Sequence, residues 1–380
     1  MPWKEVNKMS LKQEFVELTI NSEKTSFTEL CERFEISRTL GYKLIRRYKK
    51  EGNKGLEERS KKPKTSPYKT EKEMEERILL VRDKHLSWGG RKIHHYLRQN
   101  GCDEVPHPNT ITDILRRHDR LYEWNQNEIK KPYKRFERQE ANDLWQMDFK
   151  GHFPLISQRC HPLTILDDHS RYSVGLEACG DERKETVRSR LIKIFNIYGL
   201  PKQINVDNGP PWGEPSLRNY TELAVWIMRL GIEVTHSSPY HPQTNGKDER
   251  FHRTLKQELL NGQTIKTLEE SQKYFDLWRY EYNTKRPHEA LNYDAPIKHY
   301  KVSTKKYPAC LPDIEYLRDD IVRFVHKQNA CINFDGKQIY VGLAFIGQPV
   351  AIREANEDGV YNIFYCQQII KQVDLRINKT

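Results

Sequence analysis

Hydrophobic positions recur along this chain with three different rhythms. Up to about residue 120 the rhythm is helical. Leu11 to Ile20 forms one stretch, Leu30 and Phe34 stand four apart in Phe27 to Phe34, and Leu40, Leu44 and Tyr48 follow Ser37. Ser37 is a good N-cap and only Glu35-Ile36 separates it from the preceding helix, so residues 1–50 are expected to form a helix-turn-helix unit. Helical spacing returns at Ile78, Leu79 and Val81, turns at Trp88-Gly89-Gly90, resumes at Ile93 and Leu97, and stops at Gly101. Pro108-Asn109-Thr110 then opens a helix through Ile111, Ile114 and Leu115, completing a second helical unit over 71–122. The intervals 51–70 and 123–141 are polar and basic without periodicity, and they are expected to be linkers.

The second rhythm alternates strand with helix. Strand-like runs at 144–150, 162–166 and 171–178 are separated by short turns, with Asp167-Asp168-His169-Ser170 closing a hairpin. A helix at 182–198, a short strand at 203–206, a helix at about 218–230 and a strand at 232–235 follow. Phe251, Leu255 and Leu259 then lie on one stripe of a helix that starts after Asn245-Gly246, and another long helix spans about 267–284. Three antiparallel strands followed by alternating helix and strand is the order of a ribonuclease-H-like α/β core, here 142–300. The third rhythm is strand alternation broken by Asp335-Gly336 and Asp358-Gly359. Five short strands in 318–375 predict a small all-β, SH3-like barrel. The fold class expected is therefore multidomain: all-α helix-turn-helix units, an α/β core and a β-barrel.

Composition narrows the partner. Lys and Arg number 64 against 53 Asp and Glu, a formal charge of +11. That balance suits a polyanion, though it would equally suit a ribosome-associated or merely soluble basic protein. Hydrophobic residues make up 36% and no apolar run reaches the length of a membrane span. Met1-Pro2-Trp3-Lys4-Glu5 lacks the apolar stretch of a signal peptide, so a cytoplasmic, nucleoid-associated location is expected. The seven cysteines are scattered with no Cys-x-x-Cys, which argues for reduced thiols and against a disulfide frame or a structural zinc site. Basic residues concentrate where DNA contact is expected. Arg38, Lys43, Arg46 and Arg47 lie on the third helix; such a face is often merely solvated, but after a tight turn it reads as a recognition helix for a major groove. Lys61 and Lys62 sit in the first linker, which either follows a phosphate backbone or is a plain tether. Arg116 and Arg117 end the last helix of the second unit.

Three acids carry the candidate chemistry. Asp148 interrupts the apolar run Leu144 to Phe149, Asp207 ends Ile204 to Val206, and Glu249 stands in the first turn of the helix containing Phe251. A first-turn Glu is often present only because the helix dipole favours it, and an Asp within a strand is poorly placed unless its charge is compensated. Three converging carboxylates would repel one another, and a divalent cation is their natural partner. Rivals exist: Asp167 and Asp168 lie in a turn, where Asp is common for hydrogen-bonding reasons. Asp248 points about 100° away from Glu249 on a helix. His236, His241 and His252 are too irregularly spaced for a strong zinc signal.

The set Trp145-Gln146-Met147-Asp148, Val206-Asp207-Asn208-Gly209-Pro210-Pro211-Trp212 and Tyr240 through Leu255, which includes Asn245-Gly246-Lys247-Asp248-Glu249-Arg250-Phe251-His252-Arg253, resembles the integrase core of IS481-type insertion-sequence transposases. These are relatives of the IS3-type transposases and retroviral integrases. The interval from Asp207 to Glu249 is longer than in the compact retroviral arrangement, and Val206 stands where many relatives carry Ser or Thr. The resemblance implies that Asp148, Asp207 and Glu249 are a catalytic triad binding two Mg²⁺, with Mn²⁺ as a substitute. It also implies that Lys247, Arg250, Arg253 and Lys256 face DNA, Lys256 above all. By the same resemblance the second helical unit is a helix-turn-helix that helps grip terminal inverted repeats, and the β-barrel binds DNA or partner subunits.

The function expected is a DNA transposase that binds duplex transposon ends, nicks them to free 3′-hydroxyls and joins these to target DNA. Joining two ends at once calls for a homodimer or larger assembly. The competing reading is a catalytically silent, domesticated transposase acting as a repressor. A ribonuclease H or Holliday-junction nuclease is disfavoured by the flanking DNA-binding modules.

Overall fold

The computed structural model describes residues 8–21, 25–58, 69–121, 137–214, 219–236, 246–261 and 263–376. The chain divides into two compact units, Met1–Lys69 and Thr70–Thr380.

The first unit holds three helices, α1 (Lys8–Asn21), α2 (Phe27–Arg33) and α3 (Arg38–Glu51). Ser26 and Glu29 form a reciprocal capping box at the start of α2, and the Ser37 hydroxyl accepts from the Leu40 amide at 3.2 Å to start α3. Phe15, Val16, Leu30, Cys31, Leu44 and Leu56 form the core. The helices approach so closely at Gly41 that a Cβ there would stand 2.9 Å from the Phe27 ring.

The second unit begins with α4 (Lys72–Lys84), α5 (Gly90–Gln99) and α6 (Pro108–Arg117), packed around Ile78, Trp88, Ile93, Leu97, Ile111, Ile114 and Leu115. Gly90 lets α5 touch α6, since a Cβ would fall 2.3 Å from the Pro108 carbonyl. The buried Arg82 guanidinium ties the unit together by donating to the carbonyls of Trp88 (2.7 Å) and Arg120 (3.0 Å).

The central sheet comprises β1 (Leu144–Phe149), β2 (Phe153–Pro154), β3 (Arg159–Asp167), β4 (Ser173–Cys179), β5 (Gln203–Val206) and β8 (Glu233–His236). Its path runs β4-β3-β1-β5-β8, with β2 paired to the start of β3. β1 is antiparallel to β3 and β3 to β4, whereas β1 and β5, and β5 and β8, are parallel. This is the antiparallel-then-parallel order anticipated for the core. Helix α7 (Lys184–Tyr198) and α8 (Glu222–Arg229) bury Leu191, Phe195, Leu223 and Ile227 among Trp145, Ile165 and Ile204. The short pair β6 (Gly213–Glu214) and β7 (Asn219–Tyr220) lies between β5 and α8 in the chain. A second core of Leu166, Leu176 and Ala178 receives α9 (Gly246–Leu255) and α10 (Leu268–Thr284) through Phe251, Leu255, Phe275, Trp278 and Tyr282.

The C-terminal region contains six strands rather than the five expected: β9 (Ile321–Phe324), β10 (Cys331–Phe334), β11 (Lys337–Tyr340), β12 (Pro349–Glu354), β13 (Val360–Tyr365) and β14 (Gln368–Asp374). Strands β14-β13-β12-β9 form one antiparallel sheet and β10-β11 a separate hairpin. Among the described residues no pairing joins the two into the closed barrel that the alternation predicted; β9 and β14 remain the outer strands. The Asp335-Gly336 turn has φ of 50° and 69°, the doubly left-handed turn that matches strand twist. This region is fused to the central sheet. The Gln368 side chain accepts from the Val234 amide (3.0 Å) and donates to its carbonyl (2.7 Å), satisfying backbone groups on the outer edge of β8.

Candidate active site

β1 and β5 run parallel, with Leu144 opposite Gln203 and Gln146 opposite Asn205. That pairing ends at Gln146 and Asn205, and Asp148 and Asp207 each lie two residues beyond it. Asp148 lies near the end of β1, partly buried, and its carboxylate accepts from the Phe149 amide at 2.8 Å. Asp207 follows the last residue of β5, exposed, and accepts from the Asn208 amide at 2.7 Å. Glu249 occupies the first turn of α9 and is also exposed.

Asp148 feels the charges around it. Burial pushes Asp148 up to about 6, the charges of Asp207, Glu182 and Glu249 add to the rise, and the Phe149 amide opposes it. Glu182 was not anticipated from sequence. It lies in the turn before α7, bonded to His161 Nδ1 at 2.7 Å, and acids in turns carry no distinguishing signal. Among the described residues no group of three or more His, Cys, Asp or Glu side chains is drawn tightly enough to hold a metal ion. Residues 237–245, including His241, lie outside the described residues.

Helix α9 is fixed by packing on one side and by a polar link on the other. Phe251 meets Trp278 and Tyr282 edge-on at 5.5 and 5.1 Å. His252 Nε2 lies 2.8 Å from the Thr164 hydroxyl, which itself donates to the Asp148 carbonyl at 2.9 Å. Burial pushes His252 down to about 4, with Lys150 adding to the shift. His236 instead meets the Trp212 carbonyl at 3.3 Å, so these two histidines serve separate contacts.

The rival acids are structural. Asp167 accepts from the Asn142 amide (2.7 Å), the Ser170 amide (2.9 Å) and the Ser170 hydroxyl (2.6 Å), pinning the β3–β4 turn. Asp168, fully buried, pairs with Lys247 at 2.5 Å and also accepts from Gln146 Nε2 at 2.8 Å and the Arg138 amide at 2.9 Å. Lys247, anticipated at DNA phosphates, is thereby held inside the protein with its side chain 17% exposed. Asp248 is buried too, and burial with the charges of Asp148 and Asp168 drives its carboxyl well above the usual range.

The other basic residues are placed as follows. Arg38, Lys43 and Arg46 are exposed on α3 and Arg47 is half-buried. Arg116 and Arg117 are exposed at the end of α6, bonded to Asp113 and to Glu75. Arg253 and Lys256 are exposed, while Arg250 stands 4.0 Å from Glu289. Lys61 and Lys62 lie outside the described residues. A cavity of about 1200 Å³ opens between Lys202, Lys301, Lys305 and the Tyr365–Ile369 segment, and none of the three acids lines it.

Domain families match along the whole chain: a helix-turn-helix domain at 11–64, a homeodomain-like domain at 41–115, integrase core domains at 138–242 and 230–296, and the C-terminal domain of IS481 family transposases at 320–380. The chain is 28% identical over 155 residues to the insertion element IS407 uncharacterized 31.7 kDa protein of Burkholderia multivorans, covering 41% of this chain and 54% of that one. It is 27% identical over 232 residues to the insertion element IS476 uncharacterized 39.2 kDa protein of Xanthomonas euvesicatoria, covering 58% and 63%. The chain thus spans between half and two thirds of the length of these relatives. A simian T-cell lymphotropic virus intasome in complex with the PP2A regulatory subunit B56 gamma aligns at 14% identity and a TM-score of 0.38, over 75% of this chain and 91% of that one. The HTLV-2 integrase catalytic core domain in complex with magnesium aligns at 16% and 0.32, over 43% and 99%. The chain thus carries helix-turn-helix domains, an integrase core and the C-terminal domain of IS481 family transposases, in that order.

Proposed function

We propose that this chain is a DNA transposase in which Asp148, Asp207 and Glu249 form the catalytic centre, nicking transposon ends and joining the freed 3′-hydroxyls to target DNA. One observation carries the reading: a half-buried carboxylate on β1 is raised to about 6 with Asp207 and Glu249 among the charges that act on it. A counter-cation relieves the repulsion that Asp207 and Glu249 exert on Asp148, and hard carboxylate oxygens suit Mg²⁺ or Mn²⁺. Asp148, Asp207 and Glu249 would hold two such ions, which when bound activate water or a 3′-hydroxyl and stabilise the leaving oxygen.

The chain's own residues do the rest. Asp148 and Asp207 fix two donors from strands of one sheet, while α9 brings the third from a helix anchored by Phe251 and His252. Arg250, Arg253 and Lys256 lie beside Glu249 on the exposed side of that helix and would meet phosphates of the DNA being cut. The two helix-turn-helix units would grip the ends, with α3 entering a major groove; the first unit extends past residue 50, since Gly52–Leu56 forms a helical turn whose Leu56 joins its core, so the linker begins later than the expected 51. The core proper is 142–300, reached through the linker 123–141. The sheet and hairpin of 318–375 would contact DNA or a partner subunit, in a homodimer or larger complex on duplex DNA.

The test is nicking of a duplex carrying the DNA that flanks the gene, with Mg²⁺. Asp148→Asn and Glu249→Gln should each lower nicking more than about 100-fold while duplex binding stays within about twofold. Full activity in either variant refutes the assignment, and uncut DNA with the unaltered chain favours the silent repressor.

A further inference from the structure

Beyond Leu255, helix α9 continues as a π-helical turn, Lys256–Leu260, which carries Glu258. Its carboxylate accepts from the Ser87 hydroxyl at 2.7 Å and from Arg286 Nε at 3.0 and 3.2 Å. Ser87 belongs to the turn between α4 and α5, so one carboxylate bridges the second helix-turn-helix unit and the catalytic core. The bridge is shielded, with Glu258 13% and Arg286 9% exposed. Arg286 lies over the Tyr282 ring at 5.5 Å, and Tyr282 is the ring against which Phe251 of α9 packs.

The surroundings favour a specific seat over an incidental touch. His95 of α5 stacks on Tyr293 at 4.1 Å with the rings 3° from parallel, and Gln99 Nε2 donates to the Tyr293 carbonyl at 3.0 Å. Lys84 of α4 pairs with Glu281 of α10 at 3.0 Å. The junction also holds Lys92, Arg250 and Arg286, and Glu258 and Glu289 offset them. Removing Glu258 would leave the Arg286 guanidinium, 9% exposed, without its charge partner, a far larger loss than breaking a surface pair.

We propose that Glu258 is a positioning residue: it locks the second helix-turn-helix unit to the helix bearing Glu249, so that DNA held by that unit reaches the acids at a set distance. The catalytic part of this inference rests on the transposase reading; the seating does not.

Hydrogen exchange of the full chain without DNA tests the seating. In Glu258→Ala, amides of Gly90–Gln99 and of residues 285–293 should exchange at least about tenfold faster than in the unaltered chain, while β1 and β3 are unchanged. Nicking of the duplex that flanks the gene tests the positioning. Turnover at saturating duplex should fall roughly 10- to 100-fold with the half-saturating concentration unchanged, and Glu258→Asp should recover part of it. If Glu258→Ala does not fold, Ser87→Ala removes the Ser87–Glu258 bond alone and keeps the Arg286 pair; faster exchange of Gly90–Gln99 supports the seating and unchanged exchange overturns it. Unchanged exchange overturns the seating. Faster exchange with unchanged turnover overturns the positioning. If the unaltered chain cuts no duplex, the transposase reading and the positioning fail together, and the exchange result still decides the seating.

Discussion

His252 of α9 and Thr164 of β3 stand 2.8 Å apart, and the contact has a direction. The Thr164 hydroxyl spends its hydrogen on the Asp148 carbonyl, so it accepts from the hydrogen on His252 Nε2, and burial keeps that ring neutral near pH 7. Thr164 is also the residue opposite Asp148 in the β1–β3 register. The helix carrying one candidate catalytic acid is thus tied, through a single hydroxyl, to the backbone of the strand carrying another.

This link makes the core sensitive to acid. Burial, with Lys150 nearby, lowers His252 to about 4, below its unfolded value of about 6.5. A depressed pKa gives stability that is complete above the unfolded value and is lost as pH falls through the folded one. Between pH 6.5 and 4, His252 should cost the fold up to about 3 kcal/mol. His252→Asn keeps an N–H for Thr164 but does not titrate, and urea unfolding at stepped pH should show a flatter acid limb for it.

Asp148 titrates with the opposite sign. Its pKa is raised to about 6, so the carboxylate becomes a burden to the metal-free fold as pH rises from about 4 through 6. At pH 7.5 in chelator, Asp148→Asn should therefore be more stable than the unaltered chain, on the order of 2 kcal/mol. Adding Mg²⁺ or Mn²⁺ should raise the Tm of the unaltered chain and leave that of the variant nearly unmoved. Equal metal shifts in both, read by calorimetry, contradict the proposed ligand role.

Two lysines at opposite ends of helix α9 should respond differently. Lys247 pairs with the fully buried Asp168 at 2.5 Å, so Lys247→Ala should destabilise by about 3–5 kcal/mol, seen in denaturant unfolding. Lys256 is exposed, so Lys256→Ala should leave unfolding unchanged and lower duplex affinity, reducing the salt slope of binding by about one. A Lys247→Ala chain of full stability contradicts the buried pairing.

On α3, Arg46→Ala and Lys43→Ala should each weaken binding of the flanking DNA by about 1 kcal/mol or more without altering the Tm, since both side chains are exposed. Gel-shift titration at fixed salt measures it, and unchanged affinity in the double variant removes α3 from the interface.

Local chemistry was legible in the sequence where neighbours decide it. Ser37 and Asp335-Gly336 act over a few residues, and the cap and the turn form as their side chains require. Asp148 stood out because a charge within an apolar run is costly unless something compensates it, and its side chain is indeed partly buried. Strand β14 was not readable: Gln368, Lys371, Gln372 and Asp374 break the alternation on an outer strand whose far side has no partner strand among the described residues. Lys247 looked like its basic neighbours on α9 because Asp168, its partner, lies 79 residues away in the chain. The Ser87–Glu258 bridge spans 171 residues and leaves no periodic trace. Pairings of that reach are set by how the elements pack and not by any local pattern.

The most direct measurement is single-turnover nicking of the flanking duplex with Mg²⁺ by the unaltered chain and by Asp207→Asn, beside Tm and duplex affinity for each. Loss of nicking by more than about 100-fold, with Tm and affinity held, is the result predicted for three carboxylates serving one reaction centre. Nicking by Asp207→Asn at the unaltered rate contradicts it.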